Sequence, residues 1–262
     1  MNLNIYNCFC LDANSAGNPA AVVFDFNGDD KDKQGIATHL NLPVTVFITN
    51  TATPSLRFFY PEKEMPLCLH GALAAGYFLM EKNNQTHCTV QTANAQLQLT
   101  KQNNRVQITV SEQQIKSCDI DKTEIQQMLK IHNGTDILSY TVKSVGSPKL
   151  LVQMASSKIL NNLHPDFDLI KQWSKDRDIN GLYVYAKQDN HFIARGFNPK
   201  GGHNEDAATG VAAAALTLAL QQSITVFQGE TLHQPCKLEV VYQDSEHILV
   251  GGIIHPTTAS TS

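Results

Sequence analysis

The sequence predicts an α+β fold of two similar lobes, each with a mostly antiparallel sheet around one central helix. The first observation is an internal repeat, because an R-x-F-x-P pattern at residues 57–61 recurs 138 residues later, at 195–199. The second is an Ala-rich run, led by glycine and nearly free of charge, which follows each copy at 71–80 and 210–220. The third is a G-x-P turn upstream of each copy, which opens an apolar strand because proline presets its own φ and ends strand pairing.

Within each half the predicted elements follow one order. The G-x-P turn leads into a strand and a helix. A second strand, the R-x-F-x-P strand, the Ala-rich helix and closing hairpins with period-two alternation come next. In the first half we predict a helix at 30–41 and strands at 20–24, 44–49, 89–100 and 105–110. In the second half we predict a helix at 168–178 and strands at 149–153, 182–186, 237–242 and 247–251.

A polar stretch at 111–124 connects the two halves. It leads into Thr123-x-x-Gln126, a capping-box pattern that predicts the start of a short helix. We place the lobe boundary there, with an N-terminal lobe at 1–117 and a C-terminal lobe at 118–262. The Ala-rich helices are apolar on all sides, which predicts that they are buried. The Ser/Thr-rich residues 256–262 are expected to form a frayed tail.

Composition excludes several classes of function. The chain has 262 residues, of which 42% are hydrophobic and 17% charged, and its net charge is −4. That balance does not provide the basic surface of a nucleic-acid-binding protein. The longest apolar stretch is shorter than the roughly 20 residues of a membrane span, and no secretory leader is visible. Six cysteines without a CxxC pair indicate reduced thiols, so we expect a soluble cytoplasmic protein with no membrane partner.

The residues that can carry chemistry stand just before the two Ala-rich helices. Cys68-Leu69-His70 precedes Gly71, and Asp206-Ala207-Ala208-Thr209 precedes Gly210. A helix N-terminus exposes unpaired N–H groups and the positive end of the helix dipole, so it attracts anions. If the halves pack with pseudo-two-fold symmetry, both helix starts face one cleft. A carboxylate there would lie between the Cys68 and His70 pair and Asp206, which suits proton transfer beside a carboxylate.

Each candidate residue also has a purely structural interpretation. Cys68 is either a catalytic acid/base or a small buried core residue. The first is favoured by the positive potential of the helix start, which stabilises a thiolate. His70 is a general acid/base or a hydrogen-bond donor to substrate, or it merely satisfies the helix start. Asp206 moves a proton, or it caps the helix. Asn18 contacts the substrate, or it forms the turn before Pro19.

The same residues resemble the motifs of the phenazine-biosynthesis F (PhzF-like) family, which shares the diaminopimelate epimerase fold. The family's Phe-x-Gly-Asn-Pro-x-Ala-Val-Val is similar to SAGNPAAVV at 15–23, and its Phe-x-Pro-x-x-Glu-x-Pro-Phe-x-Gly-His is similar to FYPEKEMPLCLH at 59–70. Its Glu-Asp-Pro-Ala-Thr-Gly-Ser is similar to EDAATGV at 205–211. Gln228-Gly229 and Val250-Gly251-Gly252 also fit. The resemblance therefore extends over nearly the whole chain.

The resemblance implies barrel-like lobes with the active site between them, and a last strand that returns to the first lobe. It implies isomerase or epimerase chemistry without a cofactor, and a homodimer. For Asn18 it implies contact with a substrate. Together with the exposed helix starts, it indicates further substrate-binding positions at Leu69, Gly71, Thr209, Gly210 and Val211.

The chain departs from the family at three positions. The family's catalytic Glu is Val44 here, the Gly before its His is Leu69, and the Ser after its Thr-Gly is Val211. Val44 cannot carry a proton, so isomerisation of a dihydro-hydroxyanthranilate, the family's best-known activity, is not expected in its known form. Cys68 is the natural replacement acid/base, because it also resembles the first cysteine of the Cys-Gly-x-Gly motif in diaminopimelate epimerase.

Three hypotheses about function follow. The leading one is a PhzF-like isomerase or epimerase that moves a proton on a small carboxylate metabolite with His70, Asp206 and Cys68. The alternative is a binding or regulatory protein that kept the anion site after losing catalysis. A two-cysteine racemase needs a second thiol near Ala207, where none is present. No Walker loop, GxGxxG turn or HExxH motif occurs, so neither a cofactor nor a metal is expected.

Overall fold

The computed structural model describes residues 2–12, 15–116, 118–132 and 136–257. The chain divides into two units. The first unit contains Met1–Thr109, Pro235–Lys237 and Leu249–Ser262, and the second contains Val110–Gln234 and Leu238–Ile248. The division falls after Thr109, whereas the sequence placed it after residue 117, and most of the last strand belongs to the first unit.

The first half of the chain forms eight strands and two helices, in the order that the repeat predicts. They are β1 (Asn2–Cys10), β2 (Asn18–Phe24), α1 (Asp30–Leu40), β3 (Thr45–Ile48), β4 (Leu56–Phe59), β5 (Glu64–Met65), α2 (Leu69–Asn83), β6 (His87–Gln91), β7 (Gln96–Gln102) and β8 (Arg105–Val110).

The second half contains four α-helices and eight further strands among the described residues. They are α3 (Lys122–Leu129), β9 (Ile137–Lys143), β10 (Lys149–Met154), α4 (Ser157–Asn161), α5 (Phe167–Arg177), β11 (Leu182–Gln188), β12 (His191–Asn198), β13 (His203–Asp206), α6 (Gly210–Leu220), β14 (Ile224–Gln228), β15 (Cys236–Tyr242) and β16 (Ile248–Pro256).

The sheet of the first unit closes around α2. Its strand order is β5-β4-β3-β2-β1-β16-β8-β7-β6. The β2–β3 pair is parallel, and the pairs β1–β2, β1–β16, β3–β4, β6–β7 and β7–β8 are antiparallel. A bridge between Ser55 and Gln91 joins the start of β4 to the end of β6. The strands therefore form a barrel-like, mostly antiparallel sheet with α2 packed against six of them.

The second unit repeats this arrangement. Its strand order is β9-β10-β11-β12-β14-β15, with β13 added on β12. The β10–β11 pair is parallel like β2–β3, and the β9–β10, β11–β12 and β12–β13 pairs are antiparallel like their counterparts. The central helix α6 packs against β9 and β10. The internal repeat of the sequence is therefore a repeat of structure.

The spacing between equivalent positions changes after the R-x-F-x-P strand. A short 3₁₀ helix at Pro199–Gly201 lengthens the connection from β12 to β13. The residues that cap the two central helices, Cys68 and Thr209, are 141 residues apart rather than 138. Thr209 therefore corresponds to Cys68, two residues after the position near Ala207 that the repeat spacing predicts.

Burial of both central helices is confirmed. From Leu69 to Met80 every residue of α2 is buried, and in α6 the buried residues include the whole run Ala212–Leu218. Such helices are stabilised by packing on all sides rather than by one apolar stripe. No helix within the described ranges is long and apolar enough to cross a bilayer.

Three local predictions need correction. The α2 helix begins at Leu69 rather than at Gly71, because Cys68 already has the extended backbone of an N-cap residue. The short helix α3 exists, but its capping box joins Asp121 to Glu124 instead of Thr123 to Gln126. Pro256 ends β16, and the rest of the predicted tail from 258 onward lies outside the described residues.

Candidate active site

The two predicted acid/base residues at the start of α2 touch each other. Cys68 is the N-cap, and His70 is the second residue of the helix. The Cys68 Sγ lies 3.2 Å from Nδ1 of His70, and both residues are buried. A thiol at this distance donates to a neutral imidazole, and a thiolate accepts from an imidazolium. The pair is therefore able to move a proton between sulfur and ring nitrogen.

A second thiol contacts the backbone of the same residue. Cys8 in β1 is fully buried, and its Sγ donates to the carbonyl oxygen of His70 at 3.4 Å. Burial first, and then the neighbouring Cys10, raises the pKa of the Cys8 thiol well above its ordinary value, so this sulfur stays a donor. Asn18 pairs with Cys8 across the β1–β2 register and is also fully buried.

The position of the missing family carboxylate lies beside the first turn of α2. A Cβ on Gly71 would lie 2.8 Å from Cγ2 of Val46 and 3.2 Å from Cγ1 of Val44. Glycine therefore lets β3 approach the helix closely. Val44 is completely buried, so a side chain without an ionisable group packs beside the helix start at the position that resembles the family's catalytic Glu.

In the second unit, Asp206 is held at the end of β13 by its neighbours. The Thr209 hydroxyl donates to Oδ2 of Asp206 at 3.0 Å, and Nε2 of Gln228 donates to the Asp206 carbonyl at 2.7 Å. Thr209, not Asp206, is the N-cap of α6. Asp206 is therefore not the N-cap residue of α6.

The residue before Asp206 forms a buried ion pair. Arg195 on β12 bonds Glu205 with two parallel hydrogen bonds of 2.8 Å. The same guanidinium donates to the carbonyl oxygens of Leu160 and Leu163 at 3.1 and 2.9 Å. Because both side chains are about nine-tenths buried, the pair fixes β13, and with it the backbone of Asp206.

The first unit contains the equivalent ion pair in an exposed setting. Arg57 on β4 bonds Glu64 on β5 with two hydrogen bonds of 2.8 and 2.7 Å. Each arginine also lies over the phenylalanine two residues later, at 5.1 Å for Phe59 and 5.0 Å for Phe197. Both side chains of the Arg57 pair are about one-third exposed or more. The repeat therefore supplies two equivalent ion pairs that differ in burial and in the further partners of the arginine, because Arg57 also bonds the carboxylate of Asp30.

Lys149 is a buried charge that the sequence analysis treated only as the first residue of a strand. It opens β10, is 2% exposed, and donates to the carbonyl of Asn180. Burial lowers its pKa to about 8, the Asp206 carboxylate opposes that shift, and Lys200 adds to it. A lysine in an otherwise apolar strand directly after a G-x-P turn was the available signal.

The depressed pKa predicts a specific dependence of stability on pH. Below pH 8 Lys149 is charged in both the folded and the unfolded chain, so the folded protein bears the full cost of burying an ammonium. Above the ordinary pKa of 10.5 the side chain is neutral in both states. Between these values Lys149 binds more protons in the unfolded chain than in the folded one, so its contribution to stability rises with pH, by about 3 kcal/mol in total.

Urea unfolding of wild type and Lys149→Met at several pH values measures the contribution of Lys149 to the free energy of unfolding. Other groups whose protonation changes on unfolding in this range, such as Cys8, occur in both proteins and cancel in the difference. Wild-type stability relative to the variant should increase from pH 8 to pH 10.5. A difference that does not change with pH would contradict the buried charge.

The remaining predicted contacts occupy the first turns of the two central helices. Leu69 and Gly71 are buried in α2, whereas in α6 Gly210 is buried and Val211 is half-buried. The prediction that both helix starts face one cleft stays a prediction. Among the described residues, no group of three or more His, Cys, Asp or Glu side chains is arranged to hold a metal ion.

The chain is similar to known proteins over most of its length. The family model for phenazine biosynthesis-like proteins (PhzC-PhzF) matches residues 7–253. An uncharacterized isomerase of Clostridium acetobutylicum is 30% identical over 228 residues, which cover 78% of this chain and 76% of that protein. The trans-2,3-dihydro-3-hydroxyanthranilate isomerase of Pseudomonas chlororaphis is 27% identical over 235 residues, 84% of this chain and 82% of its own.

A solved structure shares the same fold. The crystal structure of a PhzF-family phenazine biosynthesis protein of Bacillus anthracis superposes with a TM-score of 0.84 at 20% identity, covering 98% of each chain. The predicted fold, with two similar barrel-like sheets around central helices, is confirmed.

Proposed function

Because this chain belongs to the phenazine biosynthesis-like (PhzC-PhzF) family and is an isomerase of that family, we propose that it moves a proton on a small carboxylate substrate. The observation that carries the proposal is the contact between Cys68 and His70 at the start of α2. A thiol and an imidazole in contact form an acid/base pair that can replace the carboxylate lost at Val44. The same contact fixes the orientation of the ring.

The helix starts supply the proposed receptor for the substrate's carboxylate. Neither N-cap side chain bonds to first-turn backbone within the described part of the chain, since Cys68 contacts His70 and Thr209 contacts Asp206. Backbone N–H groups at the starts of α2 and α6 are therefore the proposed donors to the anion, because neither N-cap side chain occupies them. Asp206 supplies the second group for proton transfer.

Substrate choice follows from the departure at Val44. A fully buried valine beside Gly71 offers neither a proton nor a hydrogen bond to a ring substituent. We therefore propose a small carboxylic acid with an acidic C–H next to the carboxylate, rather than the compound named for the Pseudomonas relative. Cofactor independence belongs to the same proposal, because thiol, imidazole and carboxylate suffice for proton transfer.

Incubation in D₂O with a panel of small carboxylic acids tests the function. The panel contains α-amino, α-hydroxy and unsaturated acids, and trans-2,3-dihydro-3-hydroxyanthranilate. We expect deuterium at the carbon beside the carboxylate in at least one small acid, detected by mass spectrometry and proton NMR. Heat-unfolded protein is the control for spontaneous exchange. Absence of exchange in every acid would contradict the proposal.

A second candidate function is a binding or regulatory protein that has lost catalysis. The observation in its favour is the replacement of the family's carboxylate by the buried, apolar Val44. This candidate predicts that a small carboxylate raises the melting temperature of wild type and of Cys68→Ser and His70→Ala equally, with no deuterium exchange. Exchange that disappears in His70→Ala would exclude it.

The expected homodimer and the expected absence of nucleic-acid and membrane partners are predictions from composition and from family resemblance. Sedimentation equilibrium measures the first directly. The 28.9 kDa chain should sediment at twice that mass if the homodimer forms.

A further inference from the structure

The side-chain amide of Gln228 makes four hydrogen bonds, three of them to Asp206 and Thr209 of the proposed site. Gln228 is the last residue of β14 and is buried. Its Oε1 accepts from the hydroxyl of Tyr183 at 3.1 Å and from the backbone N–H of Thr209 at 3.2 Å. Its Nε2 donates to the carbonyl of Asp206 at 2.7 Å and to Oγ1 of Thr209 at 3.0 Å. Two donors and two acceptor positions are the complete inventory of a Gln side chain.

The chemistry of the partners fixes the orientation of this amide. A backbone N–H only donates, so the atom facing Thr209 N is the oxygen; a carbonyl only accepts, so the atom facing the Asp206 carbonyl is the nitrogen. Burial, followed by the Asp206 carboxylate, raises the pKa of Tyr183 well above its ordinary value, so this phenol stays protonated and donates. A flipped amide would break the bonds to both backbone groups.

The oriented amide in turn directs the hydroxyl of Thr209. That oxygen accepts from Nε2 of Gln228, and its own hydrogen donates to Oδ2 of Asp206 at 3.0 Å. An ionised carboxylate is the partner that such a donor favours. The chain of contacts Tyr183–Gln228–Thr209–Asp206, here called the relay, therefore presents Asp206 as a proton acceptor in a fixed position.

The backbone beside the relay leaves no room for rearrangement. A Cβ on Gly196 of β12 would lie 2.5 Å from Oγ1 of Thr209 and 3.1 Å from Nε2 of Gln228. Gly196 also pairs directly with Asp206 across β12 and β13. Glycine at this position is therefore required for the observed geometry, since any larger residue would displace the relay.

We propose that Gln228, supported by Tyr183, is a positioning residue that fixes the Asp206 carboxylate and the Thr209 hydroxyl for proton transfer. This inference rests on the function proposed above. It assigns Asp206 as the group that takes the proton, which leaves the Cys68–His70 pair as the group that returns one. The proton removed from the substrate carbon goes to Asp206, and an equivalent proton from the pair is added to carbon, so charge and atoms balance.

The Gln228→Glu variant tests the positioning role. It keeps the size of the side chain but replaces the Nε2 donor with an acceptor facing the Asp206 carbonyl and Thr209. We expect kcat for deuterium exchange to fall about 100-fold, as for a misplaced catalytic group, with KM changed little because binding is retained. As pH falls, the ratio of variant to wild-type rate should recover, because protonation of the introduced carboxylate restores one donor.

Two further variants separate positioning from folding. Gln153→Glu adds a carboxylate to β10, where Oε1 of Gln153 accepts from the Ser139 hydroxyl at 2.9 Å, and should leave kcat unchanged. Gly196→Ala removes no polar group but displaces the relay, and should reproduce the kcat loss. The proposal is overturned if Gln228→Glu raises KM alone, or if its rate loss follows its loss of melting temperature without recovery at lower pH.

Exchange of the backbone amide hydrogens tests the hydrogen bonds of Gln228 without any substrate, so it tests this inference separately from the proposed function. In Gln228→Leu the Thr209 amide loses its acceptor, so it should exchange at least about tenfold faster, while Ala213, bonded to the Thr209 carbonyl at 3.0 Å, stays protected. If wild type exchanges deuterium into no acid, the proposed function fails and the catalytic role of the relay fails with it. If the Thr209 amide is unaffected in Gln228→Leu, the relay is overturned whatever the activity.

Discussion

In D₂O, His70→Ala is expected to exchange the substrate proton about 100- to 10,000-fold more slowly than wild type, the range typical of removing a general acid/base. His70 lies 3.2 Å from Cys68 at the start of α2. Its loss removes the imidazole and leaves the Cys68 thiol without the base that would accept its proton. The rate of deuterium incorporation into the responsive acid, measured at saturating substrate, reports the effect.

Two variants accompany this measurement. His247→Ala removes an exposed imidazole that pairs with Asp244, and its rate should equal that of wild type. Cys68→Ser keeps a hydroxyl beside His70 but is a much weaker acid than the thiol, so its rate should lie between those of wild type and His70→Ala. A His70→Ala protein that is folded and retains its rate within about threefold would show that His70 has only a structural role.

Glu205→Gln is expected to lower the free energy of unfolding by about 3–5 kcal/mol, because it leaves the guanidinium of Arg195 buried without its counter-charge. The two side chains are 9% and 10% exposed, so water cannot replace the lost carboxylate. The two carbonyl contacts of Arg195, to Leu160 and Leu163, do not neutralise its charge. Urea unfolding followed by circular dichroism measures the change.

The repeat provides the matched control for this prediction. Glu64→Gln breaks the equivalent bond to Arg57, but those side chains are 41% and 33% exposed. Exposed ion pairs contribute about 1 kcal/mol or less, because water solvates the separated charges. Arg57 also keeps the carboxylate of Asp30 as a partner in this variant. We therefore expect Glu64→Gln to be nearly neutral. Equal destabilisation by the two variants would contradict the inference that Glu205 is the counter-charge of a buried guanidinium.

The fold was largely predictable because it is built from a repeated plan. R-x-F-x-P at 57–61 and 195–199 and the two charge-free helices mark equivalent positions, and the structure has equivalent strands and central helices there. The repeat did not predict the 3₁₀ helix at Pro199–Gly201. That insertion has no counterpart in the described part of the first half, so it shifted the expected partner of Cys68 from Thr209 to Ala207.

The candidate site was predictable only in part. Cys68 and His70 are two residues apart, and the extended N-cap backbone of Cys68 brings its sulfur back to the ring. For Asp206 the sequence offered a helix cap as the structural alternative, whereas its carboxylate is held by the N-cap residue itself. Lys149 follows a G-x-P turn in an apolar strand, but only the folded chain shows that its ammonium is buried and bonded to the Asn180 carbonyl.

By itself, the sequence determined the order of elements, the burial of the central helices and the residues at each helix start. These depend on local spacing, apolar periodicity and the absence of charge along a helix. Only the tertiary structure decided which partners those residues have. Tyr183, Gly196, Thr209 and Gln228 lie on four separate elements, and strand pairing brings them within hydrogen-bonding distance or close contact. Hydrogen bonds form only at about 3 Å. The partners of these residues can therefore be identified only from the folded structure, in which the paired strands bring them together.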